Sequence, residues 1–206
     1  MVPVAFDVIA VLRRGAPALA LAALLAALGP LPARAVSLTR LEFLQQSVKT
    51  SGQSFVTGFG LKARLAGGDL NDGLILVPGI ENWKKVSRLP ELGVPELRQS
   101  DWWIGADLRY RFGDPGGWTP YAGAGLGINL IHNLVTVGPQ YGTQETREES
   151  KKPLAPNLLL GVDLPAAGPI RSSLEMSYHM VPDLKQFKIN FGFGYEFGHK
   201  DAAVKQ

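Results

Sequence analysis

The run Phe187-Lys-Ile-Asn-Phe-Gly-Phe-Gly-Tyr-Glu-Phe197 alternates without a break. Phe187, Ile189, Phe191, Phe193, Tyr195 and Phe197 occupy odd positions, and Lys188, Asn190, Gly192, Gly194 and Glu196 the even ones. Side chains alternate across a strand, so one face is apolar and the other polar or bare. The same period recurs along the chain. Phe55, Thr57, Phe59, Leu61, Ala63 and Leu65 oppose Val56, Gly58, Gly60, Lys62 and Arg64. Trp102, Ile104, Ala106, Leu108, Tyr110 and Phe112 oppose Gly105, Asp107, Arg109 and Arg111. Ala122, Ala124, Leu126, Ile128 and Leu130 oppose Gly123, Gly125, Gly127 and Asn129. Leu158, Leu160, Val162 and Leu164 oppose Asn157, Leu159, Gly161 and Asp163. Leu174, Met176, Tyr178 and Met180 oppose Arg171, Ser173, Glu175, Ser177 and His179.

These patterns predict eight strands, near 37–46, 53–66, 73–83, 101–113, 118–132, 154–164, 169–181 and 186–198. Their lengths suit transmembrane strands of about 9–11 residues. The first and third strands are less regular, and Pro78 removes a ladder donor from the third. The predicted fold is all-β: an eight-stranded, antiparallel, up-and-down transmembrane β-barrel, apolar outside and polar inside. Compact Gly/Pro/Asp-rich turns follow strands two, four and six. The connections 82–100 and 133–153 read as long loops. Outer-membrane barrels keep short turns on the periplasmic side and long loops outside. That parity puts both termini in the periplasm of a Gram-negative-type bacterium.

The start of the chain changes the picture. Arg13 and Arg14 precede an Ala/Leu-rich run from Ala16 to Leu28, and Ala33-Arg34-Ala35 has a small-x-small form. This predicts a helical signal peptide over 1–35, cleaved after Ala35. The apolar run is shorter than the ~20 residues that span a bilayer. The ten residues before Val11 are unusual for such a leader and suggest a translation start nearer Val11. The barrel would then occupy 36–198, with a short polar tail over 199–206.

The formal net charge is +3. Removing Arg13, Arg14, Arg34 and Asp7 with the leader leaves 18 basic against 17 acidic residues, near +1. This balance gives no argument for nucleic-acid binding. The chain has no cysteine, so a closed hydrogen-bonded barrel, rather than disulfides, must hold an exported protein together.

Aromatic residues fall near predicted strand ends. Tyr110, Phe112, Trp118, Tyr121, Tyr195 and Phe197 lie toward one end, and Phe55, Trp83, Trp102, Tyr178 and Phe187 toward the other. Such rings are expected to form girdles at the two membrane interfaces. Together with the aromatic-ended strand Phe187–Phe197 and the run Leu174-Glu-Met-Ser-Tyr178, the pattern resembles the small eight-stranded outer-membrane barrels, the OmpA-like β-barrel family. The resemblance covers the whole mature chain. It implies an outer-membrane location and recognition of the last strand by the barrel-assembly machinery, although nine residues follow Phe197 here, from Gly198 to Gln206.

The inward face collects Arg40, Glu42, Lys62, Arg64, Asp107, Arg109, Arg111, Asp163, Arg171, Glu175, Lys188 and Glu196. An eight-stranded barrel is only wide enough for its side chains to fill, so these charges must pair. The expected result is an ion-pair plug, with Glu175 meeting Arg109, Arg40, Lys62 or Lys188. Glycines 123, 125 and 127 are expected to make room for Arg109 and Arg111. A gated ion or small-molecule path is the alternative. A lipid A deacylase-like site at Ser177, His179 and Glu175 is a further one, although the order Ser-x-His is the reverse of that family's His-x-Ser. His132 and His199 have no partners at metal-ligand spacing, and no cofactor or metal is expected. Lys84, Lys85, Lys151, Lys152 and Lys185 lie near the outer interface, where lipopolysaccharide phosphates could meet them; Glu145, Glu148 and Glu149 offset the second pair. The expected protein is a monomer in contact with outer-membrane lipid and lipopolysaccharide, structural or surface-interacting in role.

Overall fold

A computed structural model describes residues 36–51, 54–67, 73–89, 94–113, 117–137, 145–165 and 168–197. The expected leader, its cleavage site, the start near Val11 and the tail beyond Phe197 lie outside the described residues.

The described residues form β1 (Val36–Thr50), β2 (Val56–Gly67), β3 (Leu74–Leu89), β4 (Val94–Arg111), β5 (Thr119–Val137), β6 (Glu145–Lys151), β7 (Leu154–Leu164), β8 (Ile170–His179) and β9 (Gln186–Glu196). All pairings are antiparallel, and β1 with β9 and β4 with β5 close the sheet on itself. β6 and β7 form one barrel strand. β5 pairs Ile131 with Lys151 and Ile128 with Leu154, an unchanged register on either side of Lys152-Pro153. Pro153 cannot donate to a ladder, but its carbonyl accepts from the Asn129 amide at 2.9 Å. The wall is therefore a closed eight-stranded barrel with no edge through its body, as hydrocarbon surroundings require.

Pro78 is accommodated by a local gap. It stands opposite Ala106 on β4, while the β2–β3 ladder breaks between Lys62–Gly79 and Leu65–Leu76 and resumes in register.

Two expectations need correction here. The segments expected as long loops, 82–100 and 133–153, are largely strand. β3 and β4 stay paired up to Leu89–Val94, and β5 and β6 up to Val137–Glu145. Their charges on both faces hid the period: strands that stand in water on both sides need no apolar face. β3, β4, β5 and β6 thus continue past the barrel body as a four-stranded wall. We call this the hairpin end, and the opposite end, which holds Val36 and Phe197, the terminal end.

The exterior is apolar. Leu108, Leu126, Leu158, Leu160, Ile170, Met176 and Phe193 are all exposed. Tyr110, Phe112, Trp118, Tyr195 and Phe197 ring the terminal end, with Tyr110–Phe112 and Tyr195–Phe197 packed edge to face at 5.1 and 5.3 Å. Phe55, Trp102 and Tyr178 are exposed toward the hairpin end. Trp83 and Tyr121, expected in these girdles, instead point into the lumen and are 1% and 2% exposed. Parity decides both. Trp83 shares a face with Glu81, and Tyr121 with the inward glycines of β5.

Gly123 stands opposite Arg109, but Gly125 and Gly127 make room for residues other than the expected arginines. A Cβ on Gly125 would collide with the carboxylate of Asp107 and the amide of Asn157. A Cβ on Gly127 would strike the indole ring of Trp103, which lies flat in the space that Gly105 and Gly127 leave. Gly127→Ala should therefore displace Trp103 and cost about 1–3 kcal/mol through overpacking. Urea unfolding in lipid vesicles, followed by tryptophan emission, reads both effects; an unshifted midpoint with a native spectrum would contradict this packing.

Candidate functional site

The lumen is the most concentrated chemistry in the molecule. Near mid-height Lys62 of β2 projects inward and its ammonium touches three carboxylates: Glu81 at 3.0 Å, Asp107 at 3.0 Å and Glu175 at 3.2 Å. Arg109 of β4 meets Glu175 at 2.8 Å and Asp107 at 3.3 Å. Tyr121 donates to Glu175 at 3.2 Å, and the guanidinium of Arg109 lies 5.1 Å from its ring centre. Asn157 donates to Asp107 at 2.9 Å, and Asn190 to Glu175 at 3.0 Å. Glu175 thus receives four donors from four strands, all of them buried.

Toward the terminal end, Arg64 forms a two-pronged contact with Asp163 at 2.6 Å and 2.6 Å and reaches Glu42 at 3.4 Å. Bidentate arginine–carboxylate geometry is the strong form of such pairs. Arg40 adds a second contact to Asp163 at 3.0 Å, and Ser173 donates to Glu42. Arg171 pairs with Glu196. Arg111 is half-buried and lines, with Arg40, Asp163, Arg171 and Glu196, a cleft of only about 20 Å³ at this mouth.

Toward the hairpin end, Lys188 meets Glu81 at 2.7 Å. Above it Asp101 accepts from Asn129 and Gln186, each at 2.6 Å. Then the chemistry changes. Val48, Trp83, Ile131, Ala155, Val181 and Leu184 pack together as a buried apolar cluster. Val181 and Leu184 belong to the β8–β9 connection, which folds back over the lumen; the Leu184 amide donates to the Val181 carbonyl at 3.1 Å. The polar column ends under an apolar lid.

Two members of this column, Glu81 and Asp101, were not among the inward charges expected from the sequence. Glu81 sits in the strand whose alternation Pro78 and Gly79 disrupt. Asp101 stood at the expected start of its strand. Counting back by two from Asp107 would have reached it, through Gly105 and Trp103.

Ser177 and His179 both face the lumen and are 2% and 1% exposed. The Ser177 hydroxyl and both His179 ring nitrogens have no hydrogen-bond partner among the described residues. The ring of His179 packs edge-on to Trp103 at 5.5 Å. A nucleophile needs its base within hydrogen-bond reach, and these side chains make no such contact.

The five lysines do not form one patch. Lys84 and Lys85 alternate across the hairpin wall; Lys84 stands on its outer face, and Lys85 reaches Ser54 at 3.5 Å. Lys151 closes β6, 3.3 Å from Glu149 and 4.0 Å from Asp183, and Lys152 lies in the short break before β7. Lys185 is exposed in the β8–β9 connection, where its carbonyl accepts from the Ser51 amide. Sequence reasoning did not single out Arg98, an exposed cation on the same wall. Its guanidinium hydrogen-bonds Glu96 and holds that carboxyl below the usual carboxylate range.

A closed eight-stranded barrel with an apolar exterior, two aromatic girdles and a filled polar lumen defines a small transmembrane β-barrel of the outer-membrane kind. Solved structures share this fold. Neisserial surface protein A superposes with a TM-score of 0.55 at 16% identity, covering 79% of this chain and 99% of that one. Ail, the attachment invasion locus protein of Yersinia pestis, in complex with the heparin analogue sucrose octasulfate, gives 0.50 at 16% identity, covering 78% and 97%. A major outer membrane protein from Thermus thermophilus gives 0.50 at 14% identity, covering 76% and 99%. No protein-family model and no curated protein sequence matches the chain.

Proposed function

We propose that this chain is an outer-membrane barrel with periplasmic termini whose lumen is structural and whose work is done by the hairpin wall at the cell surface. The observation that supports this most is the charge column closed by an apolar lid. Lys62, Arg109, Glu175, Asp107 and Glu81 fill the mid-lumen with contacts of about 3 Å. Ions would have to break those pairs and then cross Val48, Val181 and Leu184. Each step is costly in a dry interior. A transport role would need one of these elements to move. A deacylase role would need Ser177 to reach His179. Neither has a supporting contact.

The partners that fit are the lipids of the outer leaflet, lipopolysaccharide among them, met by cations such as Lys84, Lys85, Lys151, Lys152 and Lys185. The aromatic-ended β9 suits recognition by the barrel-assembly machinery during insertion. Planar-bilayer recording tests the closed lumen. The purified protein, shown folded by heat-modifiable gel migration, should give no discrete current steps. Regular steps from the folded band would overturn the reading.

A further inference from the structure

The outer face of the hairpin wall has a groove where the apolar barrel surface gives way to charge. The pairing sets its rows. Asn82, Trp102 and Leu130 lie side by side, and one step higher come Lys84, Ser100, His132 and Ser150. The next row holds Val86, Arg98, Leu134 and Glu148. Ser100 is the short member between two long ones, directly above Trp102. Its missing bulk opens two adjoining clefts of about 500 and 430 Å³, which share Ser100, Trp102 and His132. Lys84 and Arg98 border the first, Arg98 also holding Glu96, and Lys151 and Lys152 border the second, level with Ile131 and Leu130. Glu148 is the acid lining the first cleft, and its carboxylate faces His132 at 3.5 Å. Below the groove the wall is apolar: Ile128 and Leu154 are 46% and 58% exposed.

The geometry points to a binding site for a phosphorylated lipid, with its phosphate between Lys84 and Arg98 at the upper rim and its acyl chain running over Trp102 and Leu130 onto the barrel wall. This rests on the surface-contact reading above and gives it a ligand class and a place. Charge complementarity selects the occupant. Cations at the upper rim suit a phosphate. An indole and aliphatic side chains directly beneath suit a chain anchored in the bilayer. A free anion would use only the upper half of the groove.

The full-length protein in phosphatidylcholine nanodiscs can be titrated with bisphosphorylated lipid A and with its dephosphorylated form, and bound lipid counted by native mass spectrometry. The phosphorylated probe should bind tighter. Lys84→Gln and Arg98→Gln should each weaken it about fivefold, as expected for a cation at a charged membrane surface. Ser100→Leu keeps every charge but fills the groove, and should also weaken binding. Lys49→Gln, an exposed position on β1 away from the groove, should leave binding unchanged. Equal affinity for the two forms of lipid A, or full binding by Ser100→Leu, would overturn the site. So would inorganic phosphate or sucrose octasulfate binding as tightly as lipid A. Heat-modifiable migration and silent bilayer recordings of the same samples keep a failure here distinct from a failure of the closed-barrel reading.

Discussion

Lys62→Met should lower the unfolding free energy by about 3–5 kcal/mol, the cost of removing one partner from a buried ion cluster. Its ammonium is shared by Glu81, Asp107 and Glu175. Without it Lys188 remains for Glu81 and Arg109 for the other two, so negative charge is left in excess in a buried space. Glu175→Gln should cost less than Lys62→Met. The amide still accepts from Tyr121 or Asn190, and both cations keep Asp107. The double variant should lose less than the sum of the two, because the residues share one contact. Urea unfolding in lipid vesicles reads all three. A loss below about 1 kcal/mol for Lys62→Met, the range of exposed pairs, would mean that water screens the cluster.

Leu160→Arg should cost about 2–4 kcal/mol, the penalty for a cation on the lipid face near the membrane midplane. Leu160 is 60% exposed and pairs with Met176 on β8, next to the row that carries Glu175 inward. It therefore stands at the height of the central cluster but on the opposite face. The comparison with a soluble detergent is informative. Where water reaches the exterior the penalty should shrink, and in bilayers it should be full. Wild-type stability for Leu160→Arg in bilayers would reverse the facing of β7. A lumen substitution is not a mild control here. Gly125→Ser would press on Asp107 and Asn157 and should itself destabilise the protein.

The barrel was legible because lipid on one side and packed polar groups on the other impose a period of two, strictly in β7, β8 and β9. Most inward charges followed from the same parity. What parity alone cannot give is partnership. That Arg64 takes Asp163 with two prongs, while Arg109 takes Glu175, depends on the tilt and stagger of closed strands, which no local pattern records. The β3–β6 wall was missed for the reverse reason. Beyond the membrane both faces meet water, so Lys84-Lys-Val-Ser-Arg88 and Thr146-Arg-Glu-Glu-Ser150 carry no alternation, and only their pairing in continuation of the barrel ladders, shifted once between Ser87 and Leu89, shows them to be strands. The lid was hidden too. Val181 and Leu184 lie in a short connection with no period, and only its fold-back buries them.

The chain lacks cysteine, so one introduced thiol reports on one place. Ser177→Cys changes a hydroxyl for a thiol on a lumen side chain that is 2% exposed, and Ser54→Cys does the same at an exposed site beside β2. The most direct measurement is the rate at which a water-soluble, membrane-impermeant thiol reagent labels each variant in folded, lipid-embedded protein. A filled lumen sealed by its ion pairs and its apolar lid predicts prompt labelling at position 54. At position 177 it predicts none until the barrel is unfolded. Labelling of the folded Ser177→Cys protein at a rate close to that of Ser54→Cys would show water in the lumen and contradict the account.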